Sequence, residues 1–287
     1  VELMNIGWNF RREHLRPLQR SHYVIVDGGD QPNVVPPAAT VWYFIREITA
    51  DGINQNFSTL HRIAEAAAMM TDTTMSRRII GAAWPRHFNR PVALAMDANI
   101  RAIGLPQWSS ADQEFALALQ ELMNSDEKDG LATELEGLQN PPEDPISGGS
   151  DDIGDVSWVA PTVTLRFPSN VRGLQGHHWS SAMAMATPIA HKGATAGAKV
   201  IAATMLDLYQ NETLLEDAQR YFQEEQSTDV QYKPFIGLDD LPAIEKNKAT
   251  MDEYRSRLEP LYYDPALYRT YLEQLGINYP QLERPAP

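Results

Sequence analysis

The chain has 287 residues, 43% of them hydrophobic, enough for one large domain or two modest ones, each with its own core. Its formal charge of −14, from 38 Asp and Glu against 24 Lys and Arg, repels phosphate backbones and anionic membrane surfaces, so neither nucleic acid nor a membrane is an expected partner. Cysteine is absent, which excludes disulfides and thiolate metal sites, leaves His and carboxylate to hold any metal, and suits a cytoplasmic setting.

No apolar run reaches the ~18 residues that a membrane-spanning helix needs. The chain opens on Val1, and ELMNIG directly after it reads like the middle of an amphipathic helix, so a preceding segment is expected. Apolar spacings of three and four over residues 3–18 predict a helix closing near His14 or Leu15, ahead of Pro17. HYVIV at 22–26 and TVWYFIR at 40–46 predict two strands, joined as a hairpin by a long polar connection with Asn33 and the Pro36-Pro37 stop. Ile53, Phe57, Leu60, Ala64 and Ala67 share one helical face, which predicts a helix over 52–70, followed by a short strand at 74–80. Helix, strand, strand, helix, strand is the order of a ferredoxin-like sandwich without its first strand, and a domain boundary is expected near Trp84.

Beyond it, helices are predicted over 92–103 and 112–123, the latter aligning Phe115, Leu119 and Leu122. A polar, acidic stretch with Pro141-Pro142 and Gly148-Gly149 reads as a surface loop over 124–149. Strands are expected at 155–159 and 162–167, either side of Pro161, and a long helix over 194–209 with Ile201, Met205 and Leu208 on one face. After Asn211 the pattern is helical and charged, with a run of tyrosines from Tyr221 to Tyr271, as in a tail wrapping the body.

The densest polar grouping is GGSDDIGDVSW, which sets Asp151, Asp152 and Asp155 within five residues behind a glycine hinge. Such carboxylates could ligate a metal or orient a catalytic imidazole, and they equally suit an acidic solvated loop. A calcium loop is the weaker alternative, because the spacing lacks the EF-hand order and its terminal Glu. Three of the seven histidines, His177, His178 and His191, follow in GHHW and IAHKG. Neutral imidazole is the commonest zinc ligand, but these spacings match no compact motif, so structural histidines remain open as a reading. In the hairpin, Asn33 and Arg46 could hold a substrate carboxylate, or could simply be a turn amide and a solvated strand end.

The segments VELMNIGWNFRREH, SHYVIVDGGDQPNVVPPAATVWYFIRE, AAAMMTDTT, GGSDDIGDVSWVAPT, GHHW and IAHKGATAGAKVIA, in this order, resemble the aminobenzoyl-glutamate hydrolase branch of the zinc-dependent aminoacylase and carboxypeptidase family. The resemblance spans most of residues 1–208. It implies an α/β fold: residues 1–84 as a ferredoxin-like α+β lid and dimerisation domain lacking its first strand, and residues 85–287 as the C-terminal half of a two-zinc peptidase-like catalytic domain with a helical tail. It implies His191 as a metal ligand, Asp152 and Asp155 in the vicinity of the metal site, His177 as a catalytic group, and Asn33, Arg46 and His22 as substrate-binding lid residues. The implied reaction is hydrolysis of the amide of N-acyl or N-aroyl amino acids such as aminobenzoyl-glutamate, by water activated on two divalent ions, zinc or manganese. An upstream Glu would move the proton, and His177 or a lid group would stabilise the oxyanion. Implied partners are the small-molecule amide, a homo- or heterodimer through the lid, and the N-terminal catalytic half that carries the remaining ligands. Without that half the chain is expected to be incomplete for activity, and a non-catalytic subunit or dimerisation module is the alternative.

Overall fold

The computed structural model describes residues 1–140 and 149–282, arranged as two compact units. The first comprises Val1–His87 with the described part of Asn140–Ala160 and with Gln231–Ala243, and the second the rest.

In the first unit α1 (Glu2–Arg12) is followed by strands β1 (Arg20–Asp27) and β2 (Thr40–Arg46) and by α2 (Ala50–Met70). Burial of Trp8, Leu60, Ala64 and Ala67 along the facing sides of α1 and α2 supplies the hydrophobic drive, and Gly7 lets Ile63 approach. The strands pair antiparallel, with His22 opposite Phe44 and Arg20 opposite Arg46, and a bulge between Ile25 and Asp27. Three hydrogen bonds fix α1 on the hairpin: Trp8 Nε1 to Ser21 Oγ at 2.8 Å, Tyr43 Oη to Asn5 Oδ1 at 2.5 Å and Asn9 Nδ2 to Tyr23 Oη at 3.3 Å. Thr49 caps α2, its hydroxyl accepting from Gly52 N.

Among the described residues β1–β2 is the one sheet. The strand expected at 74–80 is absent, since residues 73–89 have no ladder partner among the described residues and a strand exists only through its hydrogen-bonded neighbour. The strand expected at 155–159 is instead a short helix, α5 (Ile153–Ser157), closed by Ser157 Oγ donating to Gly154 O at 2.6 Å. The segment 162–167 is likewise without a ladder.

The second unit holds α3 (Arg90–Ile103), α4 (Ser110–Leu122), α6 (Trp179–Met185), α7 (Pro188–Gln210), α8 (Glu212–Arg220), α9 (Lys248–Leu258) and α10 (Tyr271–Gln274). Its core gathers Phe115, Ala116 and Leu119 of α4 with Leu131, Val171, Ala184 and Ile189. Ser109 and Asp112 form a reciprocal capping box that starts α4. The stretch after α4 is only partly a surface loop. Gln120 bonds Gly130 N and Gln113 bonds Leu131 N, which draws Leu131 into the core, while residues 141–148, including Pro141-Pro142 and Gly148, lie outside the described residues. No helix among the described residues is long and apolar enough to cross a membrane.

Candidate functional site

In the hairpin, His22 and Asn33 are exposed and Arg46 is half-buried. Arg46 closes β2 and lies over the Phe44 ring, its guanidinium carbon 5.7 Å from the centroid. With Arg20 directly opposite, that end of the hairpin is cationic. Asn33 sits in the connection beyond the other end, and the six strand steps between the ends measure roughly 20 Å. Arg46 and Asn33 therefore belong to opposite ends of the hairpin.

The acidic motif is built around Asp155, which presents both oxygens to protein donors: Oδ2 accepts from Trp84 N at 3.1 Å and Oδ1 from Tyr232 Oη at 2.9 Å. Burial, and then the bond to Asp155, pushes the Tyr232 hydroxyl above its ordinary pKa. Around them Trp84 stacks on Phe235 with centroids 5.4 Å apart and meets Trp158 and Tyr232 edge-on, while its Nε1 donates to Lys233 O at 2.7 Å. Gly154 packs against the Trp84 carbonyl where any Cβ would collide. Asp151 receives Ile153 N and lies 3.8 Å from Arg86. Asp152 caps α5 in position only, with an exposed side chain that takes no capping bond. Asp155 is thus a half-buried joint between residues 84, 155 and 232, and Asp151 and Asp152 are exposed.

In the second unit, His177 is exposed and holds φ = 58°, a left-handed conformation uncommon for a residue with a Cβ. Its neighbour His178 is structural: it precedes α6 and its Nδ1 accepts from Ser180 N at 3.3 Å. His191 does not precede the long helix, because Pro188 at the first helical position starts α7 earlier, so His191 stands exposed in the first turn.

That turn is held on three sides. Ile189 is fully buried, Gly193 packs on the Pro168 carbonyl, and Lys192 Nζ donates to Asp112 Oδ2 at 2.5 Å. Asp112 is itself fully buried and also accepts from Ser109 N, Ser109 Oγ and Tyr279 Oη. Burial alone pushes the Asp112 carboxyl up, but Lys192, Ser109 and Tyr279 outweigh it and hold the pKa below the ordinary carboxylate value. Burial, and then the Asp112 carboxylate, pushes the Tyr279 hydroxyl far above its usual range.

Sequence reasoning missed Asp112, Lys192, Tyr279 and the Trp84 cluster. The Ser109-x-x-Asp112 box and the Lys inside IAHKG were readable signals, whereas Tyr279 joins across a separation of 167 residues that no local pattern encodes. Among the described residues no group of three or more His, Asp or Glu side chains is close enough together to hold a metal ion.

No family model matches the chain. Over 254 residues it is 32% identical to a protein from Escherichia coli (strain K12) that is named as a subunit of p-aminobenzoyl-glutamate hydrolase, the match covering 80% of this chain and 52% of that protein. The chain therefore spans about half the length of this curated relative.

Proposed function

We propose that the chain belongs to the aminobenzoyl-glutamate hydrolase branch and contributes the lid and the C-terminal catalytic portion of an amidohydrolase acting on N-acyl or N-aroyl amino acids such as aminobenzoyl-glutamate. The observation that carries the reading is the 32% identity to a protein named as part of that hydrolase. A pair of divalent ions, zinc or manganese, belongs to the proposal. The described residues do not fit such a group by themselves, because one imidazole cannot hold two ions and no three candidate ligands converge. The remaining ligands and the general base are assigned to the half of the relative that this chain does not match.

For this chain's own residues, the reading assigns His191 as a ligand. An exposed imidazole on a turn fixed by Ile189, Lys192 and Gly193 suits that role, since a ligand on a rigid element loses little entropy when the metal binds. Arg46 would pair with a substrate carboxylate, and His22 and Asn33 would border other parts of the substrate. His177 would donate to the oxyanion as the amide carbon becomes tetrahedral. Asp152 keeps a place near the centre, whereas Asp155 acts at a distance by tying residue 84 to residue 232. A ferredoxin-like lid that dimerises, a peptidase-like catalytic domain and a cytoplasmic setting complete the proposal. Metal analysis of the protomer made complete with the unmatched half tests it: about two ions per protomer are expected, falling when His191 is changed to Ala. Unchanged metal content and activity in that variant would remove His191 from the centre.

One observation also suits a second reading, a non-catalytic subunit or dimerisation module: the relative is itself named as a subunit. On that reading the assembly stays intact under chelation and never gains hydrolytic activity when the unmatched half is supplied.

A further inference from the structure

A cavity of about 840 Å³ opens in the first unit between the end of α1 and the first half of α2, and none of His22, Asn33 and Arg46 lines it. Its wall carries Arg11, Arg16, Arg62 and Arg77, with Glu47 as the one carboxylate among its lining residues. Four guanidiniums on one cavity are unusual in a chain whose formal charge is −14. Glu47 is already engaged: its side chain is 1% exposed, it accepts from Ile48 N at 2.7 Å, and it lies 3.9 Å from Arg16. Arg62 reaches only the Thr59 hydroxyl, and Arg77 lies over the Phe57 ring at 5.1 Å. Among the described residues, none of Arg11, Arg62 and Arg77 has a carboxylate partner.

The second observation is Asn56. It lines the same cavity, is only 7% exposed, and its side-chain amide makes no hydrogen bond with any described residue. The Asn56 amide is not one of the buried unpaired polar atoms, so water reaches it at the cavity wall and an anion bound there can take that water's place. Unpaired guanidiniums converging on such an amide form a receptor for two or more anionic groups, because guanidinium forks match carboxylate and phosphate oxygens and Asn supplies a neutral donor between them.

We infer that this cavity binds a small polyanion carrying at least two carboxylate or phosphate groups, at a site that shares none of the residues assigned to amide cleavage. The site rests on Arg11, Arg62, Arg77 and Asn56 and does not depend on the hydrolase reading. Calorimetric titration of the full chain with pyrophosphate and, separately, with citrate in about 150 mM salt tests it, and the two arms distinguish a phosphate from a carboxylate ligand. Saturable binding of one of them is expected. Arg62→Glu and Arg77→Glu, both at exposed positions, are each expected to weaken it by about tenfold or more. Arg255→Glu on α9 is expected to leave it unchanged. Asn56→Ala should weaken binding by about fivefold without lowering the melting temperature, since the amide has no protein bond to lose. Absence of saturable binding in both arms, or an equal loss in the Arg255 variant, would overturn the site.

Discussion

At the scale of single residues, Asp112 is the most consequential group, signalled in the sequence only by the Ser109-x-x-Asp112 box. It is a buried carboxylate with Lys192, both Ser109 donors and Tyr279 around it, so deleting its charge removes the partner of Lys192 and weakens the reciprocal half of the α4 cap together. Asp112→Asn is expected to cost about 3 kcal/mol in chemical denaturation at neutral pH. The sign of its pH dependence follows from the lowered folded-state pKa: the contribution is present above the unfolded value of about 3.9 and is lost as pH falls through the lower folded value. The stability gap between wild type and Asp112→Asn should therefore narrow below about pH 4; a gap independent of pH would contradict the assignment. Asp155 has an analogous structural part. Asp155→Ala removes acceptors for Trp84 N and Tyr232 Oη, and should release the tail segment 231–243, read as faster amide exchange there and altered tryptophan fluorescence.

At the scale of elements, the helices and the β1–β2 hairpin were legible, and the strands expected at 74–80, 155–159 and 162–167 were not found among the described residues. Ile53 to Ala67 at helical spacing located α2, and its face is buried as that spacing requires. The strand-like stretches at 74–80 and 162–167 have the right residue types, but pairing is a property of the neighbour, and none is present among the described residues. In α7 the large apolar residues misdirect. Ile201 and Met205 are 45% and 50% exposed, whereas the buried line is Ile189, Gly193, Gly197, Val200 and Thr204. Periodicity reading looks for bulk, and this face works by lacking it, since Gly193 and Gly197 let the helix approach residues 165–169. Gly193→Ala is accordingly expected to destabilise the chain by roughly 1–3 kcal/mol, because the obstructing partner is the Pro168 backbone rather than a side chain that can turn aside. A thermal melt unchanged by that substitution would refute the close packing.

At the scale of the whole molecule, the chain organises as two units whose boundaries are not contiguous in sequence, with 231–243 returning to the first unit. A sequence read in order assigns that segment to a tail, whereas contacts such as the Trp84–Phe235 stack, the Trp84–Lys233 bond and the Asp155–Tyr232 bond place it in the first unit. The sequence offers candidate ligands only as residue types, notably His191, because convergence of ligands is a property of several segments at once and no single segment encodes it. The central claim is that this chain supplies part of a metal-dependent amidohydrolase. Its most direct test is hydrolysis of aminobenzoyl-glutamate by the protomer completed with the unmatched half, followed before chelation, after chelation, and after restoring zinc or manganese. The account predicts turnover that disappears with the metal and returns with it. Turnover indifferent to chelation, or none in a fully metal-loaded protomer, would contradict it.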